Sequence, residues 1–195
     1  MKTLEFFWDP ASPYTYLAST QIEALAARTG VQLVWKPFVL GAVFKAAGNQ
    51  APATIPAKGK HLFRDVMEWG QFYNVPVTMP NSFPVNGISA LRCALVAQRS
   101  GKGGEFAKAV MHAHWGEGLD VSSPEVLASV CAKVGLDGPA TLAATQDQDI
   151  KDELKANTED AVARGAFGAP TMFVGTQMYW GNDRLQLLEW RLGQG

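Results

Sequence analysis

Apolar residues come in short runs at the two ends of the chain and at helical three-and-four spacing in between. Thr3-Leu4-Glu5-Phe6-Phe7-Trp8 is a strand-like run that stops at Asp9-Pro10, and Pro10 and Pro13 bracket a turn. Beyond it Leu17, Ala18, Gln21, Ile22 and Leu25 recur on one face. Ser12 fits as N-cap, Pro13 as first helical residue and Gly30 as the stop, so one helix is predicted between them. Val31-Gln32-Leu33-Val34-Trp35 then alternates and stops before Pro37, a second strand that a right-handed crossover sets parallel to the first.

From Leu40 to about Gly165 the pattern turns helical, with no strong strand candidate. Residues 48–60, rich in Gly, Pro, Ala and Asn, predict an ordered loop. Helices are predicted over 61–73, 88–98 and 105–114, then from Ser123-Pro124 to Gly135, with the longest over 148–164. Thr171 to Val174, the turn Gly175-Thr176, and Gln177 to Trp180 read as a β-hairpin, with a closing helix over 183–192. A βαβ unit and a ββα unit around one mixed sheet form the α/β arrangement of a thioredoxin-like fold. The predicted division gives 1–40 and 166–195 to that domain and 41–165 to a large all-helical insertion.

Composition narrows the function classes. At 195 residues, 47% hydrophobic and 18% charged, the chain falls in the globular range. Seventeen Lys and Arg against eighteen Asp and Glu leave a net charge of -1, so no basic field recruits nucleic acid or anionic lipid, and a small-molecule partner is the expectation. The N-terminus lacks a signal-peptide pattern, and no window approaches the roughly 18 consecutive apolar residues of a membrane span. A soluble, cytoplasmic protein with neither nucleic acid nor membrane as partner is expected. Cys93 and Cys131 form neither a CxxC pair nor a metal cluster and are expected to stay reduced.

Four places carry candidate chemistry. Where a redox thioredoxin fold would carry CxxC, this chain has Ser12-Pro13-Tyr14-Thr15, which excludes disulfide exchange. A hydroxyl at a helix N-terminus could instead hold an external thiol as thiolate, although Ser12 would serve equally as a plain N-cap. Ala169-Pro170-Thr171 stands where this fold has a cis-proline, whose neighbouring edge can pair with extended peptide; an ordinary strand-starting proline is the alternative. At Gly181-Asn182-Asp183-Arg184, helix N–H groups and the Asp183 carboxylate match an amino-acid head group, and a helix cap would also use them. Trp8, Phe44, Phe83, Trp115 and Trp180 could wall an apolar site or fill the core. His61, His112 and His114 have no cysteine partners and His112 and His114 would point apart on a helix, so no metal is expected.

Together the segments from Phe7 to Leu17, Gly48-Asn49-Gln50-Ala51-Pro52 with Lys58-Gly59, Trp115-Gly116-Glu117-Gly118, and Phe167 to Arg184 resemble the 2-hydroxychromene-2-carboxylate isomerases, relatives of the kappa-class glutathione transferases. The resemblance implies glutathione as a recycled cofactor, a small aromatic carboxylate as substrate, a homodimer, and a place in the catabolism of aromatic hydrocarbons such as naphthalene. It implies that Ser12 holds the glutathione sulfur and that Ala169, beside Pro170, pairs with the cysteinyl backbone. Asn182 and Asp183, with Trp180 and Gly181, would hold the γ-glutamyl group, and Asn49 and Lys58 would reach the tripeptide from a loop. Phe44, Lys45 and Phe83 are the candidates on the substrate side, Lys45 for the substrate carboxylate or enolate. Glu68 departs from the family, which carries arginine before this tryptophan, so a substrate-side or interface salt bridge could differ. Two rivals stand beside the isomerase: a kappa-like transferase and a redox-silent binding module of the same fold.

Overall fold

The computed structural model describes residues 2–194. Strand β1 (Thr3–Trp8) is central, with β2 (Gln32–Pro37) parallel on one side and β3 (Thr171–Val174) antiparallel on the other, followed by β4 (Gln177–Trp180), giving the order β2-β1-β3-β4. This is the mixed thioredoxin-like sheet expected from the two chain ends. Register explains the site. Trp8 lies opposite Pro37, Phe7 opposite Thr171, and Thr171 opposite Trp180. The loops after β1, after β2, before β3 and after β4 therefore meet at one end of the sheet, where the direction of pairing switches.

Both faces of β1 are covered. Leu4, Phe6 and Trp8 point into the larger core, where they meet Trp35, Phe106 and Trp115, while Phe7 points the other way onto Phe38, Val43 and Phe173. Helices supply the cover: α1 (Pro13–Ser19), α2 (Ile22–Thr29), α3 (Leu40–Ala46), α4 (Pro56–Tyr73), α5 (Ile88–Arg99), α6 (Gly103–Trp115), α7 (Pro124–Lys133), α8 (Gly138–Ala144), α9 (Gln148–Ala163) and α10 (Leu185–Leu192). Among the described residues no single helix is long and apolar enough to cross a membrane.

The structure corrects the sequence reading in several places. The helix expected between Pro13 and Gly30 is broken at Thr20-Gln21. Ser19 and Thr20 donate their hydroxyls back to the carbonyls of Tyr16 and Leu17, at 2.6 and 2.7 Å, a pattern that bends helices. Much of the predicted loop 48–60 is ordered as a short 3-10 turn (Pro52–Thr54) and the first turn of α4, which Pro56 opens at a position where its missing N–H is no loss. With 18 residues, α4 rather than the 16-residue α9 is the longest helix. Helix α8 went unpredicted because Gly138-Pro139 reads as a turn; the Asp137 side chain caps it through the Ala140 N–H at 2.9 Å. The closing helix is preceded by a 3-10 turn, Asn182–Arg184.

Candidate active site

At the switch end of the sheet lies a cavity of about 500 Å³, mostly apolar. Ser12, Ala11 and Tyr14 form one side, Leu40 and Phe44 of α3 a second, Lys58, His61 and Leu62 of α4 a third, and Gly168, Ala169 and Trp180 close it. Phe83 and Asn49 also line it.

Ser12 is 5% exposed and does two jobs. Its Oγ accepts the Thr15 N–H at 3.3 Å, so it is the N-cap of α1, and it donates to the Ala169 carbonyl at 3.0 Å. The hydroxyl hydrogen thus points across the cavity edge toward the loop before β3. Because α1 has only seven residues, its dipole is short. Trp115 donates its indole N–H to the Pro10 carbonyl at 2.7 Å and pins this turn from below.

The Ala169–Pro170 peptide bond is cis. The Ala169 N–H meets no protein acceptor among the described residues, so this half-buried edge keeps a free donor beside Ser12. Thr15, where the second cysteine of a CxxC would stand, is fully buried with its hydroxyl unpartnered among the described residues, and it does not line the cavity.

Pro170, Gly181, Asn182 and Asp183 form an adjoining corner rather than the cavity wall. Gly181 has φ +102, a conformation that side chains other than glycine rarely adopt, and a Cβ there would collide with the Asp183 carboxylate. Asn182 is 3% exposed, and its side-chain Nδ2 has no partner among the described residues. Tyr14 links this corner to the cavity. Its ring lines the cavity, its hydroxyl donates to Asp65 at 2.7 Å, and burial with the charges of Asp65 and Asp183 holds its phenol above the usual range.

Asn49 donates to the Phe167 carbonyl at 2.9 Å and accepts from the Gln50 N–H at 2.8 Å, which ties the segment after α3 to the loop before β3. Lys58 stands on α4, not in a loop, and makes no ion pair among the described residues. Of the five aromatic candidates, Phe44, Phe83 and Trp180 line the cavity, whereas Trp8 and Trp115 are wholly buried core.

Lys45 is a correction. It is exposed and does not line the cavity. Leu40 and Phe44 share the cavity-facing stripe of α3 at i and i+4, and the next residue is turned about 100° away. Glu68 likewise stays outside, bordering a shallow surface groove with Trp69 and Phe72. Sequence reasoning missed His61 and Leu40 as cavity residues; once α4 starts at Pro56, the i, i+3 spacing from Lys58 to His61 is the signal for the first. Cys93 and Cys131 lie side by side, buried and unbonded, away from the cavity. The hydrogen bond with the neighbouring Cys131 thiol and burial push the Cys93 thiol up, and neither thiol lines the cavity.

A thioredoxin-like sheet, a cis-proline loop and a hydroxyl in place of the redox thiol define the class. Residues 3–193 match the DSBA-like thioredoxin domain family. The chain is 35% identical to 2-hydroxychromene-2-carboxylate isomerase from Sphingobium xenophagum over 190 residues, covering 96% of each chain, and it belongs to the 2-hydroxychromene-2-carboxylate isomerase family. It also superposes on the solved structure of a 2-hydroxychromene-2-carboxylate isomerase with a TM-score of 0.91 at 29% identity, covering 98% of this chain and 95% of the other. A more distant relative is glutathione S-transferase kappa 1 from Rattus norvegicus, 26% identical over 99% of this chain and 92% of that protein.

Proposed function

We propose that this enzyme interconverts 2-hydroxychromene-2-carboxylate and trans-o-hydroxybenzylidenepyruvate, with glutathione as a cofactor that is returned unchanged. The observation that carries the reading is the buried Ser12 hydroxyl on the wall of an apolar cavity that no thiol of the chain lines. The residues suit the tripeptide. An unpartnered buried amide on Asn182 and an unused Ala169 N–H offer donors to a peptide, Asp183 offers a carboxylate to an ammonium, and Lys58 offers a cation to a carboxylate. When bound, glutathione supplies a thiolate that adds reversibly to the conjugated carbon–carbon double bond of the ring-opened substrate, so that the bond can rotate before the thiolate leaves.

The chain's own part is to hold and shield. Ser12 turns its hydroxyl hydrogen from the Ala169 carbonyl to the sulfur anion while its oxygen goes on accepting the Thr15 N–H. Leu40, Phe44 and Phe83 pack the aromatic ring and exclude water, which strengthens each polar contact in the cavity. His61, on the same helix as Lys58, is available on the cavity wall to the substrate carboxylate, the task expected of Lys45. The enzyme is proposed to act as a homodimer in the cytoplasm.

A spectrophotometric assay of chromene carboxylate with and without glutathione tests this. Isomerisation that requires glutathione supports it; equal rates without glutathione contradict it. A conjugate that accumulates would favour a transferase.

A further inference from the structure

Asp9 is a buried carboxylate beside the site that the proposed chemistry leaves without a task. It is 4% exposed and follows the last residue of β1. Its Oδ1 accepts the Ala11 N–H and its Oδ2 the Leu40 N–H, both at 2.9 Å, while its backbone carbonyl accepts the Ser12 N–H at 3.1 Å. Leu40 opens α3, whose own N-cap residue, Val39, has no side chain able to cap it. Asp9 supplies that cap from across the chain. On the remaining side Gly87, at the start of α5, sits so close that a Cβ there would lie 3.0 Å from Asp9 Oδ1 and 3.0 Å from the Pro10 ring. One carboxylate thus fastens the turn that carries Ser12 to the helix that carries Leu40 and Phe44, the two sides of the cavity that would face sulfur and substrate.

We infer that ionised Asp9 is a positioning residue, which by accepting the Ala11 and Leu40 N–H groups sets the Ser12 turn and α3 in register, so that the reaction weakens when its carboxyl takes up a proton. An ionised carboxylate only accepts, and both its oxygens are used here; a protonated one accepts more weakly and carries a hydrogen on one of these oxygens that has no acceptor among the groups bonded to it. Burial pushes Asp9 up from 3.8 to about 6, although both N–H bonds pull it down. The ionisable side chains of the packed helices, Tyr14 and Tyr16 on α1, Lys45 on α3, and Arg92, Cys93 and Arg99 on α5, make neither a hydrogen bond nor an ion pair with it. The carboxyl therefore changes state close to neutrality with the site's geometry attached to it.

The inference rests on the isomerase reading, and two measurements separate their failures. In the wild-type protein without ligand, the Ala11 and Leu40 amides are followed by NMR between about pH 4.5 and about pH 8. Both should shift with one apparent pKa near 6; separate or absent titrations overturn the link whatever the enzyme catalyses. In the kinetic arm, kcat at saturating glutathione should fall below about pH 6 with two protons in the wild type, those of the cofactor thiol and Asp9, and with one in Asp9→Asn. An acidic limb identical in the two proteins overturns the positioning role. Amides that titrate together in a protein without isomerase activity would overturn the isomerase reading and leave the Asp9 link standing.

Discussion

Replacing Asp9 by Asn silences one buried titration, and the consequence for stability has a defined sign. In the native protein burial raises this carboxyl from 3.8 to about 6. A group that binds its proton more tightly when folded contributes stability that is complete below its unfolded pKa and is lost as pH rises through its folded one. The shift of about two units, at 1.36 kcal/mol each, makes the whole effect about 3 kcal/mol, of which about 2 kcal/mol falls between about pH 4 and about pH 7.5. Ionised Asp9 is therefore a stability cost accepted where the geometry needs it. Exposed carboxylates held low by their partners, such as Asp149 beside Arg99 and Glu189 beside Arg28, act in the opposite sense but are common to both proteins and cancel in the difference. Urea unfolding of wild type and Asp9→Asn across this range reads that difference. The variant should gain on the wild type by about 2 kcal/mol as pH rises, whatever constant offset the amide introduces. A difference that stays flat, or one that moves the other way, would refute the reasoning, the second showing that the two N–H donors outweigh burial.

Ser12→Ala should still bind glutathione but lose about 2.7–4 kcal/mol of transition-state stabilisation, a roughly hundredfold to thousandfold fall in kcat, because one donor to a developing anion is removed. Loss of the α1 cap should lower its unfolding free energy by only about 1 kcal/mol, so calorimetry and kinetics on the same variant separate the two roles of the hydroxyl. Asp183→Asn should raise the glutathione Kd about tenfold, by titration calorimetry, with little change in kcat at saturation, since the head group lies away from the reacting sulfur. Lys58→Ala should raise the KM for glutathione about tenfold, whereas Lys45→Ala, whose side chain stands outside the cavity, should leave steady-state kinetics unchanged.

The strands were legible because each is a short apolar run closed by Pro or Gly: Asp9-Pro10 ends β1, Pro37 ends β2, and Gly175 turns the hairpin. Ser12 was legible as a cap for the same local reason, Ser followed by Pro. The break at Thr20 is hidden because Leu17 and Ala18 before it and Ile22 and Leu25 after it are all buried, so the hydrophobic phase never falters. Adjacent serine and threonine were the available clue. Lys45 was misplaced because sequence proximity to Phe44 says nothing about facing; only the α3 register, fixed by packing of Leu40 and Val43, decides which neighbour meets the cavity. In the sequence Asp9 stands out only as a strand stop. Its burial depends on α3 and α5 closing over it, a tertiary fact with no local signature beyond a carboxylate before proline.

If sulfur from outside the chain is borrowed and returned, a count of thiols shows it. Chromene carboxylate in large excess over glutathione is incubated with enzyme, and product and free thiol are measured together. Many turnovers per glutathione are expected, with the thiol titre unchanged from start to finish. Product that stops at one equivalent of glutathione, with the thiol titre falling in step, would contradict it.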